Sequence, residues 1–204
     1  MLTGDLPDVE YIPARNAKRR NGQPRQVDLL VLHTMESGAK PGTARAVASW
    51  FAGAAAPMAS AHYTIDTTDG FAAVVQCVLE DDVAFAAPGA NATGIHLEHA
   101  GRAADPPEVW ATPDRRRLLC SSACLGAGIA QRHGIPLVFV TAEELVAAWR
   151  VGGAARGVTT HHELTRAGRL GGPGSPWAKN DHVDPGSGFP VDVWLELARA
   201  AAAP

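Results

Sequence analysis

Val27-Asp28-Leu29-Leu30-Val31-Leu32-His33 is the stretch whose reading decides the fold. It is too short for a typical helix and is dense in Val and Leu. That pattern marks a strand buried on both faces, as in parallel sheets. Its end is a histidine. Downstream, Thr43 to Phe51 places Ala44, Val47, Ala48 and Phe51 at helical spacing. Ala61 to Asp66 alternates as a strand, Thr67-Thr68-Asp69-Gly70 is a turn signal, and Phe71 to Val78 is its hairpin partner. Thr93 to His99 is a third central strand. Three helices follow: Thr112 to His133, Thr141 to Arg150 and Val191 to Ala201. In the first, Thr112 caps, Pro113 takes the first helical position, Gly134 ends the helix, and Leu118, Leu125 and Ile129 mark its buried face. In the second, Thr141 and Glu144 form a capping-box pattern. Mixed strands and helices without a repeat predict an α/β fold, a central mixed β-sheet flanked by helices.

Composition bounds the rest. A chain of 204 residues suits one domain. We expect residues 1 to 25 to form an N-terminal extended arm and residues 26 to 204 the catalytic domain. A net charge of -3 gives no pull toward nucleic acid or an anionic membrane, so neither is an expected partner. Arg15, Arg19, Arg20 and Arg25 read as a solvated leader. No apolar stretch spans a bilayer, and Met1 to Pro13 lacks the apolar core of a secretory signal. Cys77, Cys120 and Cys124 fit no zinc ribbon and are expected to be buried free thiols. The Gly- and Pro-rich stretches Gly101 to Ala111 and Thr165 to Asn180 are long enough to flank a site.

Chemistry concentrates in three distant places. His33 ends the first strand, His161 and His162 follow the short run Gly157-Val158-Thr159-Thr160, and His182-Val183-Asp184-Pro185-Gly186 lies near the C-terminus. Two imidazoles and one carboxylate make a three-ligand zinc site with the fourth position open, the arrangement of a catalytic ion.

These stretches, with Ser60-Ala61-His62-Tyr63-Thr64-Ile65-Asp66 and Pro88-Gly89-Ala90-Asn91-Ala92-Thr93-Gly94-Ile95-His96-Leu97-Glu98, occur in one order over about residues 26 to 195. As a set they resemble the zinc-dependent N-acetylmuramoyl-L-alanine amidases of the type 2 family, which share their fold with the peptidoglycan-recognition proteins. The resemblance implies hydrolysis of the amide between N-acetylmuramic acid and L-alanine. It implies Zn2+ held by His33, His161 and Asp184, with His162 the alternative to His161. Glu98 is the implied general base and His182 the group facing the oxyanion. His96, two residues from Glu98 on the same face, competes for the role of base. His162, Glu163, His96, His62 and Asn91 are expected around the ligands or along the substrate groove, with Glu163 able to orient an imidazole. His99 and His133 have no assigned role. Two departures stand out: Ala61 replaces a tyrosine present in some phage relatives, and Phe85 and Ala87 stand where relatives carry Trp-His.

The implied setting is an endolysin amidase module from a phage or prophage, made in the cytoplasm and acting as a monomer on cell-wall peptidoglycan. Two rivals remain: a peptidoglycan-binding recognition module that does not cut, and an amidase that recycles soluble muropeptides.

Overall fold

The computed structural model describes residues 4–68 and 71–203. The expected turn residues Asp69 and Gly70 lie outside them. The elements in chain order are β1 (Glu10–Tyr11), β2 (Ala17–Lys18), β3 (Leu29–Thr34), α1 (Thr43–Ala52), β4 (Tyr63–Thr68), β5 (Phe71–Gln76), β6 (Val83–Ala84), β7 (Gly94–His99), α2 (Pro107–Trp110), α3 (Pro113–His133), α4 (Ala142–Arg150), β8 (Gly157–Thr160), α5 (His161–Gly171) and α6 (Val191–Ala202). Six strands form one sheet in the order β1-β5-β4-β7-β3-β8. Only the β4–β5 hairpin is antiparallel, and the other neighbours run parallel. The sheet is mixed and helix-covered, as the sequence predicts.

β3 is buried along its whole length, and its alternation sorts two layers. Leu30 and Leu32 join Ile95, Leu97, Tyr63 and Ile65 beneath α3 and α6, which contribute Leu118, Ile129 and Trp194. Leu29 and Val31 face the other way, toward Leu145 and Val146 of α4 and Leu164 and Ala167 of α5. His33 shares that second face. In the β3–β7 register His33 sits opposite Glu98 and Val31 opposite His96, so the polar side chains of both strands emerge on one side. Ala44, Ala48 and Phe51 of α1 cover the sheet beside them.

Helices α2 and α5 were not expected, and the expected helices differ in three details. The Thr112 hydroxyl makes no cap bond; it donates to the Val109 carbonyl at 2.7 Å. Leu118 and Ile129 are buried as read, but the face of α3 extends through Leu119, Ser122, Ala123, Gly126 and Ala130, and Leu125 is only half-buried. Small residues there let α6 approach closely. The same rotation puts Cys120 and Cys124 on the solvent side, so of the three free thiols only Cys77 is buried. The capping box of α4 forms as read, with the Thr141 side chain accepting from the Glu144 amide.

The N-terminal segment is bonded into the body. β1 extends the sheet beside β5, and β2 pairs with β6. Of the arginines expected to be solvated, Arg15 and Arg19 are exposed but also make tertiary bonds, and Arg25 is anchored. Arg25 donates to the carbonyls of Glu80, Ala92 and Gly94, Arg19 pairs with Asp82, and Arg15 reaches the Ala54 carbonyl. Among the described residues no helix is long and apolar enough to cross a membrane.

Candidate active site

The carboxyl ends of the parallel strands β3, β7 and β8 meet at one edge, where open α/β sheets place ligands. β3 delivers His33, β7 delivers Glu98, and the turn from β8 into α5 delivers His161. The fourth contribution comes from the loop between α5 and α6. The Asp184–Pro185 peptide in this loop is cis, and Gly186 has a positive φ of 78°. A Cβ at Gly186 would run into the Ala103 carbonyl, so the loop seats directly on the turn at Arg102 to Asp105. The amide of His162 donates to the Asp184 carbonyl at 2.7 Å, fixing that loop against the start of α5.

The three candidate ligands converge. Nδ1 of His33 lies 3.0 Å from Oδ2 of Asp184, and Nδ1 of His161 lies 3.2 Å from Oδ1. Their donor atoms all fall within 4.8 Å of one another, and all three residues are buried. Each imidazole has a partner on its far nitrogen. Nε2 of His33 is 3.0 Å from Nδ1 of His96, and Nε2 of His161 is 3.1 Å from Oδ1 of Asn180. Far-side acceptors leave both Nδ1 lone pairs free to face the carboxylate, the ligand tautomer a divalent ion requires. Two imidazoles and a carboxylate at this spacing fit zinc.

Burial would raise the Asp184 carboxyl, but the adjoining imidazoles of His161 and His33 hold it below the usual carboxylate range. Burial lowers His33 and, with its histidine neighbours, lowers His96. Burial, with help from Asp184 and Glu36, pushes the Glu98 carboxyl well up. Oε2 of Glu98 is buried and has no hydrogen-bond partner. A buried carboxyl raised in this way and left unpaired beside a cleft is a candidate for proton transfer.

A cleft of about 370 Å³ opens over this cluster. Its floor is His33, Glu98, His161 and Asp184. One wall is apolar, built by Val47, Trp50 and Phe51 of α1 with Phe85. Trp50 is 55% exposed, so its indole is available to a ligand. His182 stacks on His161 with ring centroids 4.7 Å apart. Its Nδ1 is 3.4 Å from Asp184, and its side chain remains 65% exposed at the rim.

The remaining expected residues lie elsewhere. His96 is fully buried behind His33 and does not line the cleft. His62 lies a layer deeper, stacked under His96 at 5.7 Å and bonded near Arg25, so it lines no groove. Asn91 accepts from the amides of Ala86 and Ala87 and braces their loop. The Glu163 carboxylate caps α4 through the Ala142 amide and pairs with Arg166; it orients no imidazole. His162 lines a separate depression with Phe139 and Pro190. Neither expected flanking loop is all loop: the first contains α2 and the turn on which the Asp184 loop seats, and the second begins inside α5, with Trp177 beyond it buried against Trp149. Sequence reasoning missed Asn180 and the α1 wall. The exposed Trp50, on the solvent side of an otherwise regular amphipathic helix, was a readable signal. Asn180 carried none.

A family model described as N-acetylmuramoyl-L-alanine amidase, Amidase_2, matches residues 23–187. N-acetylmuramoyl-L-alanine amidase A of Achromobacter lyticus is 31% identical over 193 residues, covering 95% of this chain and 94% of that protein. Among solved structures, the Staphylococcus aureus hydrolase AmiA in complex with its ligand superposes with a TM-score of 0.67 at 17% identity, covering 98% of this chain and 85% of that one. An AmpD derivative gives 0.57 at 16% identity, with both chains fully covered. These two likenesses concern the fold. The family match and the end-to-end relative establish that the chain belongs to the N-acetylmuramoyl-L-alanine amidases of the Amidase_2 family.

Proposed function

We propose that this amidase is zinc-dependent and cuts the amide between the lactyl group of N-acetylmuramic acid and L-alanine of the stem peptide. The observation that carries the proposal is the convergence of His33, His161 and Asp184 beside an unpaired, buried Glu98. When bound by those three residues, zinc supplies Lewis acidity that polarises a carbonyl and acidifies water to a pKa of roughly 7. Glu98 takes the proton of the attacking water on Oε2 and returns it to the leaving nitrogen of L-alanine. His182, at the rim, donates toward the developing oxyanion. The α1 wall holds the substrate against the cluster and excludes water from that side.

The cleft is open along the rim formed by Trp50 and His182, which suits a polymeric substrate. We therefore place the activity on intact cell-wall peptidoglycan, as in an endolysin, rather than on soluble muropeptides. A recognition module that binds without cutting would not need Asp184 and Glu98 in this arrangement. The test is mass spectrometry of digested sacculi and of soluble muropeptides, with and without chelator. Peptides beginning with L-alanine, released from sacculi and lost on chelation, are the expected result. Sacculus binding without product would favour the recognition module, and cleavage of soluble muropeptides alone would favour recycling.

A further inference from the structure

We infer that Asn180 is a positioning residue for the metal site: it accepts the Nε2 proton of His161 and so keeps Nδ1 open toward Asp184. The inference rests on the reading of His33, His161 and Asp184 as metal ligands.

The orientation of the Asn180 amide is determined by its neighbours. Its Nδ2 lies 2.7 Å from the Pro88 carbonyl and 3.1 Å from the Trp177 carbonyl. Only an NH2 group can face two carbonyl oxygens, so the remaining atom, 3.1 Å from His161 Nε2, is the oxygen. An amide oxygen cannot donate, so the imidazole proton sits on Nε2. This matters because His161 has a competing acceptor. Oδ1 of Asp184 is 3.2 Å from Nδ1, and a proton drawn to Nδ1 would block the nitrogen that has to bind the ion. Asn180 biases the ring against that state.

The placement is rigid. Asn180 is buried, and its amide donates to the Trp177 carbonyl at 2.9 Å. Trp177 in turn lies against α5, the helix that begins with His161. A Cβ at Gly168 of α5 would run into the Trp177 carbonyl. Helix, loop and amide therefore form one packed unit. His33 is set differently. Its partner His96 must accept on Nδ1 and carry its own proton on Nε2, an atom that is buried without a partner. The His161 side of the site is thus the fully satisfied one.

Two substitutions separate positioning from plain support. Asn180→Asp keeps an acceptor for His161 but removes the donors to Pro88 and Trp177. Asn180→Leu removes both. Zinc affinity is measured by competition with a chromophoric chelator, and stability of each metal-free variant by thermal unfolding. Both variants should lose stability. Zinc binding should weaken about 10–100-fold in Asn180→Leu, the usual range for an outer partner of a ligand. In Asn180→Asp it should stay at or above the wild-type level. Equal weakening in both variants, or none in Asn180→Leu, overturns the proposal. If Asn180→Leu does not fold, Asn180→Ala carries the same comparison. Failure of the wild-type protein itself to bind zinc would overturn the metal reading beneath the proposal.

Discussion

The Nδ1–H of His99 donates to the main-chain carbonyl of His33 at 2.7 Å, so a histidine that never reaches the cleft holds the first candidate ligand from behind. The chain continues inward. Nε2 of His99 is 2.6 Å from the Ser122 hydroxyl, which accepts from the Trp194 indole at 2.9 Å. β7, α3 and α6 are tied to the backbone of β3 at the point where the site begins.

This arrangement predicts acid sensitivity. Burial lowers His99 to about 4 and, with Arg25 nearby, His62 to about 3. Both fold neutral and would protonate in the unfolded chain near pH 6.5. Between that value and the folded ones the unfolded state binds more protons, so stability falls as pH falls. Each group contributes up to about 1.4 kcal/mol per pH unit in that window. Urea unfolding of the metal-free protein between pH 7 and pH 4.5 should show the slope, and a flat profile would exclude it. Ser122→Ala strands the Trp194 and His99 nitrogens and should cost about 1–3 kcal/mol.

Removal of the third ligand should be felt at the metal. Asp184→Ala is expected to fold, to retain little zinc by elemental analysis, and to release no L-alanine-terminated peptide. Full zinc retention would show that the ligand set is wrong. In the wild-type protein, chelation should abolish cleavage and added zinc should restore it.

Glu98 and His96 share a face of β7 but have different surroundings, and their substitutions should diverge. Glu98→Gln is expected to keep zinc and lose turnover by roughly 10²–10⁴-fold, the span for general acid–base help. His96→Ala removes the partner of His33 and should weaken zinc binding first. If His96→Ala keeps its zinc yet abolishes turnover while Glu98→Gln stays near wild type, the base is His96.

The N-terminal segment should prove part of the catalytic domain. Buried Glu80 accepts from Tyr63, Arg132 and His133, and its amide donates to Asp5. Burial works to raise the Glu80 carboxyl, but those donors hold it below its usual value. Its share of stability is therefore present above the ordinary Glu range and lost as pH falls below it. Glu80→Gln should cost about 2–3 kcal/mol near neutral pH, and deleting residues 1 to 25 should lower the melting temperature. An unchanged melting temperature after deletion would make the arm a separable appendage.

The central strands were legible because a buried parallel strand is written in consecutive residues: Leu29 to Leu32 is apolar throughout and its run is too short for a typical helix. The convergence of His33, His161 and Asp184 was expected from family resemblance; their spacing alone carries no distance. Residues whose role depends on what lies across the fold were not legible. Glu163 looks like an imidazole partner in the sequence, but Arg166 one turn on and the start of α4 claim its carboxylate. His62 and Asn91 have the chemistry of groove residues and the surroundings of braces. Arg15 and Arg25 read as solvated because their partners are main-chain carbonyls, which leave no mark in a sequence.

His33 and Asp184 lie 151 positions apart along the chain, yet their side chains touch. Between them the chain must lay down β4 and β5, pair β7 and β8 on either side of β3, and pack α5. A nascent chain that has not yet delivered the segment around Asp184 carries two histidines and no third ligand. The candidate site is thus completed late in synthesis, after every strand of the sheet has been made. A chain cut short before Asp184 is therefore expected to hold zinc poorly and to lack amidase activity.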